Sequence, residues 1–141
     1  MADLVLLDTN AIVFLATGAP IKPEADGLIR SAARAETLLV SPVSAWEIGN
    51  LARPRNSRSA IDFLPDPATW FLRFMDSHFA GLTPLTVTAA VASAGLPEGL
   101  NADPADRLLT ATAREIGATF VTRDRDILAY AAQGHLNAMG C

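Results

Sequence analysis

Cysteine is all but absent: the only one is the terminal Cys141, so the chain can form no intrachain disulfide and offers no cysteine-rich zinc site. Histidine is nearly as scarce, and His78 and His135 stand far apart in a sequence that offers no cluster of nitrogen ligands. Any metal expected here is therefore held by oxygen. Long apolar runs are missing too, since 4–7 and 11–16 are broken by polar residues well short of the 18 or so that a membrane span needs. The N-terminus lacks the basic region of a signal peptide. Together these absences predict a soluble, cytoplasmic protein with no membrane role.

Lysine is scarce as well. Lys22 is the only one, every other basic residue being arginine, and the net charge of -4 argues against a surface that binds nucleic acid indiscriminately. Arg53, Arg55 and Arg58 qualify that reading, because they crowd into six residues and arginine suits bidentate contacts to phosphate. They are candidates for binding RNA or a partner; the plainer alternative is a loop kept soluble by charge. With 141 residues, half of them hydrophobic, the chain is long enough for one domain with a real core and too short for two ordinary ones. A single domain over 1–141 is expected.

Strand and helix signals alternate along the chain. The continuous apolar run at 4–7 predicts a strand buried on both faces, ending at Asp8. A short helix over 11–16 is stopped by Gly18 and Pro20, a helix over 24–35 follows, and 37–40 reads as the second strand. Ser41-Pro42 and Asp66-Pro67 each open a helix, as an N-cap followed by proline at the first helical position. Trp70, Phe71, Phe74 and Met75 give the second of these an apolar face suited to a core or interface. Residues 82–87 form a third strand candidate, weakened or moved to an edge by Pro84. A small helix at 88–94, a loop to Ala102 and a helix opened by Asp103-Pro104 come next. A strand at 118–122, a helix at 127–132 and an edge strand near 136–139 complete the pattern. Strands separated by helices imply a parallel sheet with helices on both sides.

Four acidic residues stand out against that frame. Asp8, Glu47, Asp106 and Asp124 each fall at the C-terminal end of a strand or in the helix that follows, so they should converge on one edge of the sheet. Two like charges about 4 Å apart repel by roughly 4 kcal/mol at an effective dielectric near 20, so such a cluster must take up protons or hold a divalent cation. Plainer roles compete at each position. Asp8 and Asp124 are well placed as helix N-caps, and so is Asp103, for which capping is the favoured role. Asp106 lies in the first helical turn, where the dipole favours acids, at the edge of the stripe formed by Ala105, Leu108, Leu109, Thr112 and Ile116. Glu47 fits no such role. Val43 and Leu51 stand four residues either side of it, with Trp46 and Ile48 flanking, so a buried carboxylate needing a cation or an arginine is expected.

Four segments, Leu6-Leu7-Asp8-Thr9-Asn10, Ser44-Ala45-Trp46-Glu47-Ile48, Asp103-Pro104-Ala105-Asp106-Arg107-Leu108-Leu109 and Val121-Thr122-Arg123-Asp124, occur in this order over nearly the whole chain. Together they resemble the PIN-domain ribonucleases, specifically the VapC-type toxins of bacterial toxin-antitoxin pairs. The resemblance implies a three-layer α/β/α domain around a mainly parallel sheet of four or five strands. It implies that Asp8, Glu47, Asp106 and Asp124 are the catalytic, metal-binding acids, with Thr9 in support through its hydroxyl; Asn10 matches the motif without an assigned role. It further implies an RNA substrate, a VapB-type antitoxin whose tail lies in the active-site groove, and a homodimer.

Oxygen-only ligands suit Mg²⁺ or Mn²⁺, which would activate water for in-line attack on an RNA phosphodiester without a protein nucleophile. One departure from related sequences is visible: Asn101 stands where a histidine often precedes the Asp-Pro segment. His78 and His135 match no motif of the family. Two other readings remain. A haloacid-dehalogenase-like phosphatase also begins with a strand and an aspartate, but Asn10 stands where its second aspartate belongs. A non-catalytic PIN-like binding module would have no need to keep all four acids.

Overall fold

The computed structural model describes residues 3–54 and 62–141. Strand β1 (Val5–Leu7) is apolar at every position because both of its faces are covered. Leu6 points into one core with Val43, Leu109, Phe120, Ile127 and Tyr130, while Val5 and Leu7 point into the other with Ile12, Ile29, Leu38, Ile48, Phe71 and Phe74. That division follows from the two-residue period of a strand.

Around β1, strands β2 (Leu38–Val40), β3 (Gly81–Leu82), β4 (Thr119–Thr122) and β5 (Ala138–Gly140) form a five-stranded parallel sheet in the order β3-β2-β1-β4-β5. Val5 is in register with Leu38 on one side and Thr119 on the other. Helices α1 (Thr9–Ala16), α2 (Pro23–Arg34), α3 (Pro42–Leu51) and α4 (Pro67–His78) contribute to the Val5/Leu7 core. Helices α6 (Pro104–Ile116) and α7 (Arg125–Ala132) pack on the Leu6 side. The result is the three-layer α/β/α arrangement expected from the alternation of elements.

The order of strands reverses direction between β1 and β4, the crevice where open parallel sheets bind ligands beyond their carboxyl ends. Asp8 follows β1 directly and Asp124 stands two residues beyond β4. Local chemistry fixes where the neighbouring helices begin: Ser41, Asp66, Asp103 and Asp124 all accept backbone N–H bonds as N-caps, and proline follows the first three.

Two expectations need correction. The strand expected over 82–87 is only Gly81–Leu82, because Pro84 has no N–H to extend the ladder and Thr86 instead caps helix α5 (Val87–Ala92) through the N–H of Ala89. The small helix therefore starts one residue earlier than 88, and a 3₁₀ turn at Ser93–Gly95 finishes it. Trp46 does not flank a buried stripe: it is 57% exposed, and Glu47 is half-buried at the mouth of a cleft. No helix among the described residues is long and apolar enough to cross a membrane.

Candidate active site

Asp8 is 3% exposed and caps α1, accepting from the backbone N–H of Thr9 at 2.8 Å. Its other oxygen accepts from the hydroxyl of Thr122 at 2.6 Å and from the amide of Asn10 at 3.3 Å. Capping and membership of an acidic cluster are thus compatible: one oxygen serves the helix and the second faces β4. Thr122, fully buried, also accepts the backbone N–H of Asp124 at 3.0 Å, so a single hydroxyl ties the loop after β1 to the loop after β4. Asn10 adds a second tie, its carbonyl accepting the backbone N–H of Arg123 at 3.2 Å.

Glu47 is oriented from the neighbouring strand end. The Thr9 hydroxyl donates to its Oε1 at 2.5 Å and lies 2.9 Å from the hydroxyl of Ser44. A hydroxyl carries one proton, so with Thr9 donating to the carboxylate, Ser44 supplies the proton of the second bond. Asp106 accepts from the Asn101 side-chain amide at 3.1 Å. That amide is itself held, its oxygen accepting the N–H of Asp103 and its backbone carbonyl accepting from Arg107. Asn101 is therefore a neutral donor aimed at Asp106. Asp103 caps α6, its side chain accepting the backbone N–H of Asp106 at 3.0 Å.

Asp8, Glu47 and Asp106, together with Thr9 and Asn10, line one cleft of about 280 Å³. Asp124 is not in the lining; its side chain accepts from the N–H groups of Asp126 and Ile127 at the start of α7. It is nevertheless close enough for its charge to act on both Asp8 and Asp106. Burial, reinforced by the charges of Glu47 and Asp124 and opposed by the Thr122 and Thr9 bonds, pushes the Asp8 carboxyl up to about 6. Burial likewise raises Asp106 to about 7, against the Asn101 bond and with Asp8, Asp103 and Asp124 adding repulsion. Glu47 is raised in the same direction, first by burial and then by the charge of Asp103, and the Thr9 bond opposes this. Among the described residues, none of the four acids pairs with a basic side chain.

Arg123, beside Asp124 in sequence, turns away from the acids. Its guanidinium lies 3.8 Å from the centre of the Phe14 ring and bonds the carbonyl of Pro20, fastening β4 to the end of α1. His78 bonds the carbonyl of Phe74 on its own helix, and His135 packs on Tyr130; neither belongs to the cleft. Arg53 is exposed just beyond α3, whereas Arg55 and Arg58 lie outside the described residues. Thr122, Ser44 and the bonding role of Asn101 were not singled out in the sequence. Thr122 was within reach, as a threonine two residues before an acid at a strand end, and the bonds of Asn101 are local to the start of α6; Ser44 has meaning only once distant elements meet.

A family model for the PIN domain matches residues 5–133 of this chain. The chain belongs to the PIN-domain family. It is 38% identical over 93 residues to Ribonuclease VapC22 of Mycobacterium tuberculosis, a match spanning 64% of this chain and 65% of that relative. The fold is also that of the VapBC2 structure from Rickettsia felis, bound to a DNA fragment from its promoter, with a TM-score of 0.68 at 15% identity over 97% of this chain and 98% of that one. A structure of FitAcB from Neisseria gonorrhoeae is similar too, with a TM-score of 0.56 at 20% identity over 96% of both chains.

Proposed function

We propose that this PIN domain is a divalent-metal-dependent endoribonuclease and the toxin of a VapBC-type toxin-antitoxin pair. The observation that carries the reading is the cleft itself: three carboxylates from different elements meet there, all raised by burial, with no basic partner among the described residues. A buried cluster of this kind calls for a cation or for protons. The match to a curated ribonuclease supports the choice of RNA as substrate.

The donor set fits Mg²⁺ or Mn²⁺, because every candidate ligand is a carboxylate oxygen. Among the described residues no three acidic, histidine or cysteine side chains are grouped closely enough to hold a metal ion between them as they stand. An ion held there would keep several of its waters and take only one or two carboxylates directly, as Mg²⁺ commonly does. Asp8, Glu47 and Asp106, which line the cleft, would hold it directly or through its waters, with Asp124 contributing charge from the side of β4. When bound, the ion would lower the pKa of water and offset charge on the phosphate.

The rest of the work belongs to the chain. Thr122 and Asn10 fix the rotation of Asp8, Thr9 fixes Glu47, and Asn101 fixes Asp106, each through a neutral donor that adds no competing positive charge. The arginine group at 53, 55 and 58 would draw RNA toward an otherwise acidic surface. We further propose a cytoplasmic homodimer and a VapB-type antitoxin that closes the cleft, in line with the antitoxin complexes among the structural relatives.

Incubation of the purified protein with RNA tests the proposal. Cleavage should require Mg²⁺ or Mn²⁺, stop with chelator, and stop on addition of an antitoxin encoded beside the toxin. A well-folded chain that binds RNA yet never cleaves it would favour the non-catalytic PIN-like module. Family membership removes the ground for the phosphatase reading.

A further inference from the structure

Trp46 is the largest side chain of α3 and lies outward, 57% exposed, one residue before Glu47. With Glu47, Asn50, Leu51, Asp103 and Pro104 it lines a hollow of about 510 Å³, and Glu47 and Leu51 also line the acidic cleft. The two depressions are therefore contiguous through Glu47. Asn50 stands four residues after Trp46 on the same helix, and Arg53 lies just beyond the helix end, where its N–H donates to the carbonyl of Asn50 at 3.2 Å. At helical spacing Trp46 and Asn50 form one stripe of α3, an aromatic ring and a carboxamide, and the exposed Arg53 follows just past its end.

We propose that this stripe is a binding site for single-stranded RNA, with Trp46 as a stacking platform for an unpaired base next to the scissile phosphate. The proposal rests on the nuclease reading and deepens it. An exposed indole offers a π-face to any base. Asn50 brings both a donor and an acceptor to a base edge, and Arg53 brings a forked cation to the backbone beyond it. The hollow favours a base over a phosphate at Trp46, because its other charged walls, Glu47 and Asp103, are acidic. Stacking of this kind demands an unstacked base, so the site selects single strands and loops over duplex.

The chain has two tryptophans, and the other, Trp70, is partly buried against the core, so a Trp70→Phe background leaves Trp46 as the sole reporter. In that background, combined with Asp106→Asn to prevent cleavage, a short single-stranded RNA of mixed sequence should quench the fluorescence. The same RNA annealed to its complement should not. In the otherwise wild-type enzyme, Trp46→Ala should raise KM roughly 5- to 150-fold, the range that corresponds to losing about 1–3 kcal/mol of stacking, and Trp46→Phe should recover most of it. Sedimentation of Trp46→Ala supplies the remaining arm. A switch to a smaller species, with no quenching by RNA in the reporter protein, would assign the face to a protein interface and overturn the proposal. An unchanged KM in Trp46→Ala would overturn it as well. Failure of the nuclease reading is separate, since it appears as absence of metal-dependent cleavage by the wild type.

Discussion

Replacing Asp8 by asparagine should make the metal-free protein more stable, and the size of the gain follows from the site. The carboxyl is carried from its ordinary 3.8 to about 6, chiefly by burial. At about 1.4 kcal/mol for each tenfold change in proton affinity, ionised Asp8 costs the folded state roughly 3 kcal/mol at neutral pH. The sign follows from proton counting. A carboxyl raised on folding binds protons more tightly in the native state, so stability falls as pH rises from about 4 to about 6 and the full penalty persists above that. Asparagine keeps the oxygen that accepts from Thr9, and the Thr122 hydroxyl can turn to accept from the new amide. Loss of the bond from Asn10 trims the gain, so roughly 1–3 kcal/mol should remain, or about 4–10 °C in Tm for a domain of this size. The assay is thermal unfolding in chelator at several pH values, followed by titration with Mg²⁺. Asp8→Asn should melt higher than wild type near pH 7, the difference should shrink toward pH 4, and Mg²⁺ should stabilise only the wild type. Equal melting in chelator at neutral pH, or a less stable variant there, would refute the reasoning that Asp8 is an ionised, uncompensated buried acid.

Other substitutions probe the remaining groups. Thr122→Val removes the hydroxyl that joins Asp8 to the backbone of Asp124 and should weaken Mn²⁺ binding about 10- to 100-fold, as is usual for groups that orient metal ligands, while Thr122→Ser should restore it; calorimetric titration distinguishes the two. Asp103→Ala should cost about 0.5–2 kcal/mol of stability and leave much of the RNA cleavage intact, because its side chain caps α6. Asp106→Asn should do the reverse, abolishing cleavage without loss of metal-free stability; an active Asp106→Asn beside an inactive but stable Asp103→Ala would exchange their roles. Replacing Arg53, Arg55 and Arg58 together by alanine should weaken RNA binding and flatten its salt dependence, since fewer counterions are released, and an unchanged slope would return them to a solubility role.

Much of the fold was legible because its elements announce themselves locally. A short apolar run with no polar alternation that ends at an aspartate, as at 4–7, suits a strand covered on both faces, and Ser41-Pro42, Asp66-Pro67 and Asp103-Pro104 each mark a helix start within a residue. What local reading missed depends on competition between neighbours. In 82–87 the β-branched residues favour a strand, but Thr86 finds the N–H of Ala89 and Pro84 cannot donate, so helix capping wins. Trp46 illustrates the other limit: helical periodicity tells which residues share a face, not whether another element arrives to cover it.

The acidic site exposes a subtler confusion, between alternatives that the chain does not treat as exclusive. Capping and ligation look like rival uses of Asp8, yet a carboxylate has two oxygens, and at the end of a parallel strand one naturally meets the next helix while the other faces the adjoining strand end. The helix N-terminus also softens the cost of holding negative charge there, through its free N–H groups and dipole. Burial outweighs that help, since the carboxyl still rises to about 6. Asp124 is the contrasting case: two N–H groups of α7 engage its side chain, and it lies outside the lining of the cleft. The same residue type at equivalent strand ends therefore meets different surroundings, although in each case one oxygen serves the helix cap and the other is left for something else. What separates them is the partner opposite the second oxygen, here the Thr122 hydroxyl, which reaches Asp8 across 114 residues of sequence.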